Sequence, residues 1–295
     1  MQRVFADEAR QQDYARQGFT IVRLLSTDAA ADLWERIDAA RRQRPTLARS
    51  EDFLDQSFFD PDDAYRRQVD VLGTAAVQEA LLSLAPGFRL VSCGIVIKQP
   101  GTGEMNIHRD RTVLADRSLS PLNAWCPLVD VDDGYGNLAV LPGSHTLPNV
   151  ETQGVPRFYA PYGDALKKLS VSVPLKAGEA ILFDNRLLHW SRPNRRDVPR
   201  PVLRTVAVPA ASRIVFYKLD EASGGRRFAL LDSEEGGATA NAADDLPEGR
   251  VEARLLGYAD NDTREVTLAE CRAAVRRASA SPLQTAVRRL ARMFG

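Results

Sequence analysis

The sequence predicts a mainly β protein with flanking helices, and two features carry that prediction. From Arg89 to about Val215, apolar runs of four to eight residues alternate with turns rich in Gly and Pro. Runs of that length between turn signals are the mark of an antiparallel sandwich or barrel. Helical periodicity falls mostly before this region, and helices followed by strands give a layout in which the helices brace one face of the sheet. No internal repeat is visible.

Residues 6–17 read as a helix that stops at Gly18, and Phe19-Thr-Ile-Val-Arg23 alternates as a short strand. Ser26 or Thr27 can cap a helix whose Ala29, Leu33, Ile37 and Ala40 make one apolar stripe. Residues 42–70 are polar and interrupted by Pro45 and Pro61, which predicts a loop with short turns. Residues 75–85 read as a further helix, ended by Pro86-Gly87. Strands are expected at residues 90–97, 122–129, 138–141, 171–175, 180–183 and 203–208. Residues 232–250 carry Asp232, Glu234, Glu235, Asp244, Asp245 and Glu248 against Arg250 alone, which predicts a mobile loop with little surface to bury. Thr267-Leu-Ala-Glu270 is a capping box that opens a helix. Ser281-Pro282 starts a last helix with Leu283, Val287, Leu290 and Phe294 on one side, to pack on the body or on a second subunit as a homodimer. The expected organisation is one domain over residues 1–295: helical support in 1–88, the strand core with the site in 89–216, and a loop with a helical extension in 217–295.

Composition narrows the function. Lys+Arg and Asp+Glu both number 39, so whole-chain charge gives no signal for nucleic-acid binding. Cys93, Cys126 and Cys271 are few, odd in number and form no CxxC pair, which points to reduced thiols and away from a disulfide framework or zinc knuckle. No run approaches the roughly 18 apolar residues of a membrane span, and the first residues lack an apolar signal core. The expected setting is cytoplasmic, with a small molecule as partner.

The chemistry rests on the histidines, of which the chain has three: His108, His145 and His189. In a strand, residues i and i+2 share a face, so His108 and Asp110 can offer an imidazole and a carboxylate to one metal. His189 follows another expected strand and can close the site from across the barrel. Two His and one carboxylate on one face leave three positions of an octahedron open, an arrangement suited to Fe(II) that must also hold a co-substrate and O2. His145, in a turn-rich loop, is expected to order that loop.

The segments around this set are Asn123-Ala-Trp-Cys-Pro-Leu-Val-Asp130, Asp133-Gly-Tyr-Gly-Asn-Leu-Ala-Val-Leu-Pro-Gly-Ser-His145, Gly178-Glu-Ala-Ile-Leu-Phe-Asp-Asn-Arg-Leu-Leu-His189, Ser191 and Pro193-Asn194. Together they resemble the phytanoyl-CoA dioxygenase family, from about Gly18 to Val208 and most specifically from Lys98 to Arg200. The resemblance implies a double-stranded β-helix (jelly-roll, cupin-like) core and an Fe(II)- and 2-oxoglutarate-dependent oxygenase. It makes His108, Asp110 and His189 the iron ligands. Arg200, eleven residues past His189, becomes the clamp on the distal carboxylate of 2-oxoglutarate, with Arg204 as the fallback. A planar guanidinium suits that role because it grips a carboxylate through two parallel hydrogen bonds. Ser191 matches an assisting hydroxyl, and Lys98 and Trp125 match positions near the co-substrate.

The family often has Gln where this chain has Arg109. Asp110 itself argues for hydroxylation or desaturation, because related halogenating enzymes replace this carboxylate with a small residue. The implied substrate is a small metabolite or natural-product intermediate. It is anionic if Arg109, Arg111, Arg157, Arg192 and Arg213 line the mouth, and otherwise those arginines are solvated surface. Two other readings stay open here: a metal-dependent cupin that does not use 2-oxoglutarate, and a non-catalytic ligand-binding relative.

Overall fold

The computed structural model describes residues 2–44, 54–232 and 254–279. Helix α1 (Glu8–Gln17) is capped by the Asp7 side chain and ends at Gly18, which adopts the left-handed conformation with φ 85°. Strand β1 (Phe19–Arg23) follows, and then α2 (Thr27–Arg42), capped by Ser26 as its sequence predicts. Strand β2 (Leu54–Gln56) precedes α3 (Asp63–Leu84), whose N-cap Asp62 accepts from the backbone N–H groups of Ala64 and Tyr65. The helix expected at 75–85 therefore starts twelve residues earlier, inside the stretch read as a loop.

Eleven further strands follow β2 among the described residues. The first ten are β3 (Phe88–Lys98), β4 (Met105–His108), β5 (Leu122–Pro127), β6 (Leu138–Val140), β7 (Val171–Val173), β8 (Glu179–Asp184), β9 (His189–Ser191), β10 (Arg200–Pro209), β11 (Val215–Leu219) and β12 (Arg227–Asp232). Strand β13 (Leu255–Asp260) comes last, α4 (Gly163–Leu169) precedes β7, and α5 (Leu268–Ala278) closes the described chain with the expected Thr267/Glu270 capping box. None of the described helices is long and apolar enough to cross a membrane.

Two antiparallel sheets form the core. The larger runs β1-β8-β5-β10-β3-β2 and the smaller β4-β9-β6-β7. Side-chain alternation divides the larger sheet into two faces. Cys93, Ile95, Ile97, Leu122, Ala124, Cys126, Leu182 and Leu203 pack outward against Leu33, Ile37, Val69, Val77 and Leu81 of α2 and α3. Trp125, Ile181, Phe183 and Val202 face inward and meet Leu138, Val140 and Val173 of the smaller sheet. This is the helix-braced jelly roll that the sequence predicts. It places the inward residues of β3, β5 and β10 in the space between the sheets.

A third sheet, β11-β12-β13, occupies part of the region expected to be a loop and helical extension. Its two later strands are separated by residues 233–254, and pairing across so long an interval leaves no local signature. Residues 233–253, which hold most of the expected acidic loop, and the helix expected at 281–294 with its dimer role lie outside the described residues.

Gly18 joins the first helix to the sheet under two constraints. A Cβ there would sit 2.5 Å from Nδ1 of His145 and 2.8 Å from Cδ1 of Leu187, and the backbone is left-handed. Gly18→Ala is expected to lower stability by about 2 kcal/mol or more, the sum of backbone strain and overpacking. Urea unfolding monitored by tryptophan fluorescence checks it, and a loss below about 0.5 kcal/mol contradicts the constraint.

Candidate metal centre and co-substrate pocket

His108 ends β4 and His189 opens β9, and the two residues are direct partners in that pair of strands. Their ring centroids are 4.2 Å apart, tilted by 54°. His108 Nδ1 lies 2.8 Å from the Asn106 carbonyl and His189 Nδ1 lies 2.9 Å from the Leu187 carbonyl. A carbonyl only accepts, so each Nδ1 carries the hydrogen and each Nε2 keeps its lone pair. The chain thus sets both tautomers for metal binding. Asp110 falls just past the end of β4 rather than within it, yet its carboxylate still joins the pair. The potential ligand atoms of His108, Asp110 and His189 all lie within 4.8 Å of one another.

Electrostatics suit a cation. Burial, then the neighbouring His189, pulls His108 down to about 3, against the opposing pull of Asp110. Burial also lowers His189. Burial alone would raise Asp110, but Arg204, His189 and His108 together hold it below the usual carboxylate range. At neutral pH the set is two neutral imidazoles and one carboxylate. One oxygen of that carboxylate, Oδ2, is buried with no hydrogen-bond partner. An orphaned acceptor beside two imidazole lone pairs fits a divalent ion.

The neutrality of the imidazoles predicts a metal affinity that is insensitive to mild acid. Protons compete for an imidazole only near its folded pKa, which is lowered. Divalent-metal affinity should therefore change little as pH falls from about 7.5 to about 6. Titration with Co(II) at several pH values measures this; a steep, two-proton loss of affinity around pH 6.5 would contradict the assignment.

A second group of expected residues lies on the inward face of the same barrel. Arg200 opens β10 opposite Lys98 at the end of β3. Its side chain is among the largest that are fully buried, its Nε and Nη1 have no hydrogen-bond partner, and its guanidinium lies 5.1 Å from the Trp125 ring centroid. Lys98 is fully buried as well. Its Nζ donates to Ser191 Oγ at 2.8 Å and to the Arg192 carbonyl at 2.6 Å. Burial, and then the Arg200 guanidinium, pulls Lys98 down to about 7, while Glu104 opposes them. Burial draws Arg200 down to about 9, so it remains charged at neutral pH. Gly136 keeps this corner open: a Cβ there would lie 3.1 Å from Lys98 Cδ and 3.6 Å from Arg200 Nε. The buried Arg200 guanidinium, with two orphaned nitrogens and Lys98 across the strand pair, forms a cradle for a carboxylate.

Other expectations meet different outcomes. Arg109 does not line a mouth. It is buried, and it donates to the carbonyls of Ser144, Leu147 and Pro148 at 2.6–2.9 Å while lying 4.8 Å from the Phe158 ring centroid. Arg157 pairs with Glu151, Arg192 with Asp133 and Arg213 with Asp232. These arginines have carboxylate partners and do not by themselves call for an anionic substrate. His145 lies outside the ligand set; its ring contacts the Ala15 carbonyl through Nε2 at 3.1 Å and ties the turn after β6 to α1. Arg204 lies beside the candidate metal ligands, not beside Arg200's orphaned nitrogens: its Nη2 is 2.9 Å from Asp110 Oδ1. Asn123 and Asn185, which sequence reasoning missed, bond to each other near it. The signal available was the alternation that puts Asn123 on the same face as Trp125.

A cavity of about 580 Å³ opens between α1, residues 112–121 and residues 145–150. Asn185 and Thr112 line it, but none of His108, Asp110 and His189 does. Its charged walls include the paired Asp184 and Arg186 and the paired Arg117 and Asp262.

Known proteins share this architecture. The crystal structure of the epimerase SnoN, in complex with Fe3+, alpha ketoglutarate and nogalamycin RO, superposes with a TM-score of 0.53 at 22% identity, over 69% of this chain and 83% of that one. EctD from S. alaskensis, in its apoform, superposes with a TM-score of 0.54 at 19% identity, over 70% of this chain and 79% of that one. At such identities the likeness speaks for the fold. A Danio rerio protein, phytanoyl-CoA dioxygenase domain-containing protein 1, is 33% identical over 120 residues, which span 36% of this chain and 40% of that relative's length. The family model described as phytanoyl-CoA dioxygenase (PhyH) matches residues 3–202, from ahead of α1 into β10 and across all the site residues above except Arg204. The chain belongs to the phytanoyl-CoA dioxygenase family.

Proposed function

We propose that the chain is an Fe(II)- and 2-oxoglutarate-dependent dioxygenase that hydroxylates or desaturates an aliphatic carbon of a small metabolite, with release of succinate and CO2. The observation that carries this reading is the convergence of His108, Asp110 and His189 on one point of a barrel whose inner face also holds the buried Arg200, two of whose nitrogens have no hydrogen-bond partner. A metal site alone would fit many enzymes. A metal site with a buried cationic cradle on the same inner surface fits a metal that shares its coordination with an anionic co-substrate. The iron and alpha ketoglutarate held by SnoN support the same choice.

His108 and His189 would hold the iron through Nε2, and Asp110 through Oδ2. Bound iron with 2-oxoglutarate and O2 supplies the oxidising power, through decarboxylation of the co-substrate. The chain supplies the rest. Arg200 binds the distal carboxylate of 2-oxoglutarate, and Lys98 fixes Ser191 beside it. Trp125 places its ring 5.1 Å from the guanidinium, a cation–π contact that helps hold it. The apolar inner face, with Phe183 at 4.9 Å from the His189 ring, keeps bulk water away from the reacting carbon.

The test is succinate formation from 2-oxoglutarate with Fe(II) under air, measured alone and with candidate substrates. Fe(II)-dependent succinate is the expected result, raised by a true substrate. Iron binding without 2-oxoglutarate binding or turnover would replace this reading with a metal-dependent cupin that uses a different co-substrate.

A further inference from the structure

Asp110 contributes one oxygen to the candidate metal point, and its other oxygen is already held. Arg204 Nη2 lies 2.9 Å from Asp110 Oδ1 and 3.3 Å from Asn123 Oδ1. The Asn123 amide donates to Asn185 Oδ1 at 2.9 Å, and the Asn185 amide donates to the Arg111 carbonyl at 2.6 Å. The chain of contacts therefore leaves the side chain of residue 110 and returns to the backbone of residue 111. Asn123 and Asn185 are buried, and the side chains of Arg204 and Asp110 are 16% and 14% exposed. The ring is largely shielded from water, so its bonds are costly to break.

The surroundings of Arg204 are built to fix its plane. Its partner across the strand pair is Gly94 of β3. A Cβ at Gly94 would collide with the Phe58 ring at 2.6 Å. The missing side chain admits that ring, and the Arg204 guanidinium lies 5.8 Å from its centroid. A single planar nitrogen serves both Asp110 and Asn123, with its two N–H bonds diverging at a fixed angle.

We infer that Arg204, with Asn123 and Asn185, is the positioning network that presents Asp110 to the metal through one oxygen only. The inference rests on the reading of His108, Asp110 and His189 as the ligands. The network occupies Oδ1 and leaves Oδ2, which has no protein partner, as the ligand atom. A carboxylate free to turn would offer both oxygens and take a coordination position that co-substrate or O2 needs.

Co(II) alone is the probe, followed by its visible absorption, whose intensity and shape depend on coordination number. Arg204→Lys keeps the charge near the cation but lacks the rigid fork, so any change reports geometry and not repulsion. Co(II) affinity is expected to fall about 10-fold or more, the range known for partners of ligating groups, with an altered absorption band. Asn185→Ala, which leaves Arg204 and Asp110 intact, is expected to shift both readouts in the same direction by less. Thermal melting checks that each variant folds, and Asn185→Ala serves if Arg204→Lys does not. If wild-type protein binds Co(II), His108→Ala does not, and the network variants match wild type in affinity and band shape, the positioning role is wrong and the ligand reading stands. If wild type itself fails to bind Co(II), the ligand reading is wrong.

Discussion

His108→Ala is expected to abolish tight Fe(II) binding and, with it, succinate formation. His108 pairs directly with His189 across β4 and β9, and its Nδ1–H is committed to the Asn106 carbonyl, so the imidazole is oriented before any metal arrives. Alanine removes one of three ligands and the tautomer lock behind it. The change should exceed the roughly 100-fold upper range seen when only a partner of a ligand is lost. The cost to folding is small by comparison, because the residue is only half-buried and a neutral imidazole gives up little beyond its one backbone bond. Anaerobic calorimetric titration with Fe(II), beside a thermal melt, separates the two effects. Tight binding and turnover in the alanine variant would show that the metal is held elsewhere.

Arg200→Leu is expected to raise the KM for 2-oxoglutarate strongly and to disturb kcat less. Losing one partner of a buried, charge-assisted pair costs about 2–5 kcal/mol, which is at least about 30-fold in apparent affinity. The ligand-free protein should respond in the opposite direction. In the chain alone, Arg200 buries a charged group with Nε and Nη1 unsatisfied, and such a group penalises folding. Leucine removes that penalty while filling much of the volume, so the ligand-free melting temperature should rise. An arginine with a purely structural role would give the reverse pattern: lower stability and an unchanged KM. Steady-state kinetics on 2-oxoglutarate and a melt without ligands read both signs.

Much of the fold follows from local features. Gly18 ends α1 because the next turn needs a left-handed residue, and the apolar runs from β3 to β10 are short because each is bounded by a turn. The candidate ligand set was visible because His and Asp two residues apart face one way in extended chain, even though β4 ends before Asp110. What stayed hidden depends on contacts distant in sequence. The first three turns of α3 look like loop because Asp62, Asp63, Arg66 and Arg67 are charged and Gly73 interrupts the pattern. The sheet β11-β12-β13 is closed by a strand more than twenty residues away from its neighbour. Arg109 reads as a surface cation, yet it is consumed by three carbonyls of residues 144–148. Arg204 reads as a spare for Arg200; four residues along β10 on the same face, it meets Asp110 instead.

The central claim is that one ferrous ion sits between β4 and β9 with 2-oxoglutarate reaching toward β10. An anaerobic crystal structure with Mn(II) in place of iron and with 2-oxoglutarate addresses it directly. The account predicts metal density bonded to Nε2 of His108, Nε2 of His189 and one carboxylate oxygen of Asp110, with the distal carboxylate of the co-substrate on Arg200. Metal bound by other residues, or 2-oxoglutarate lying away from Arg200, would contradict it.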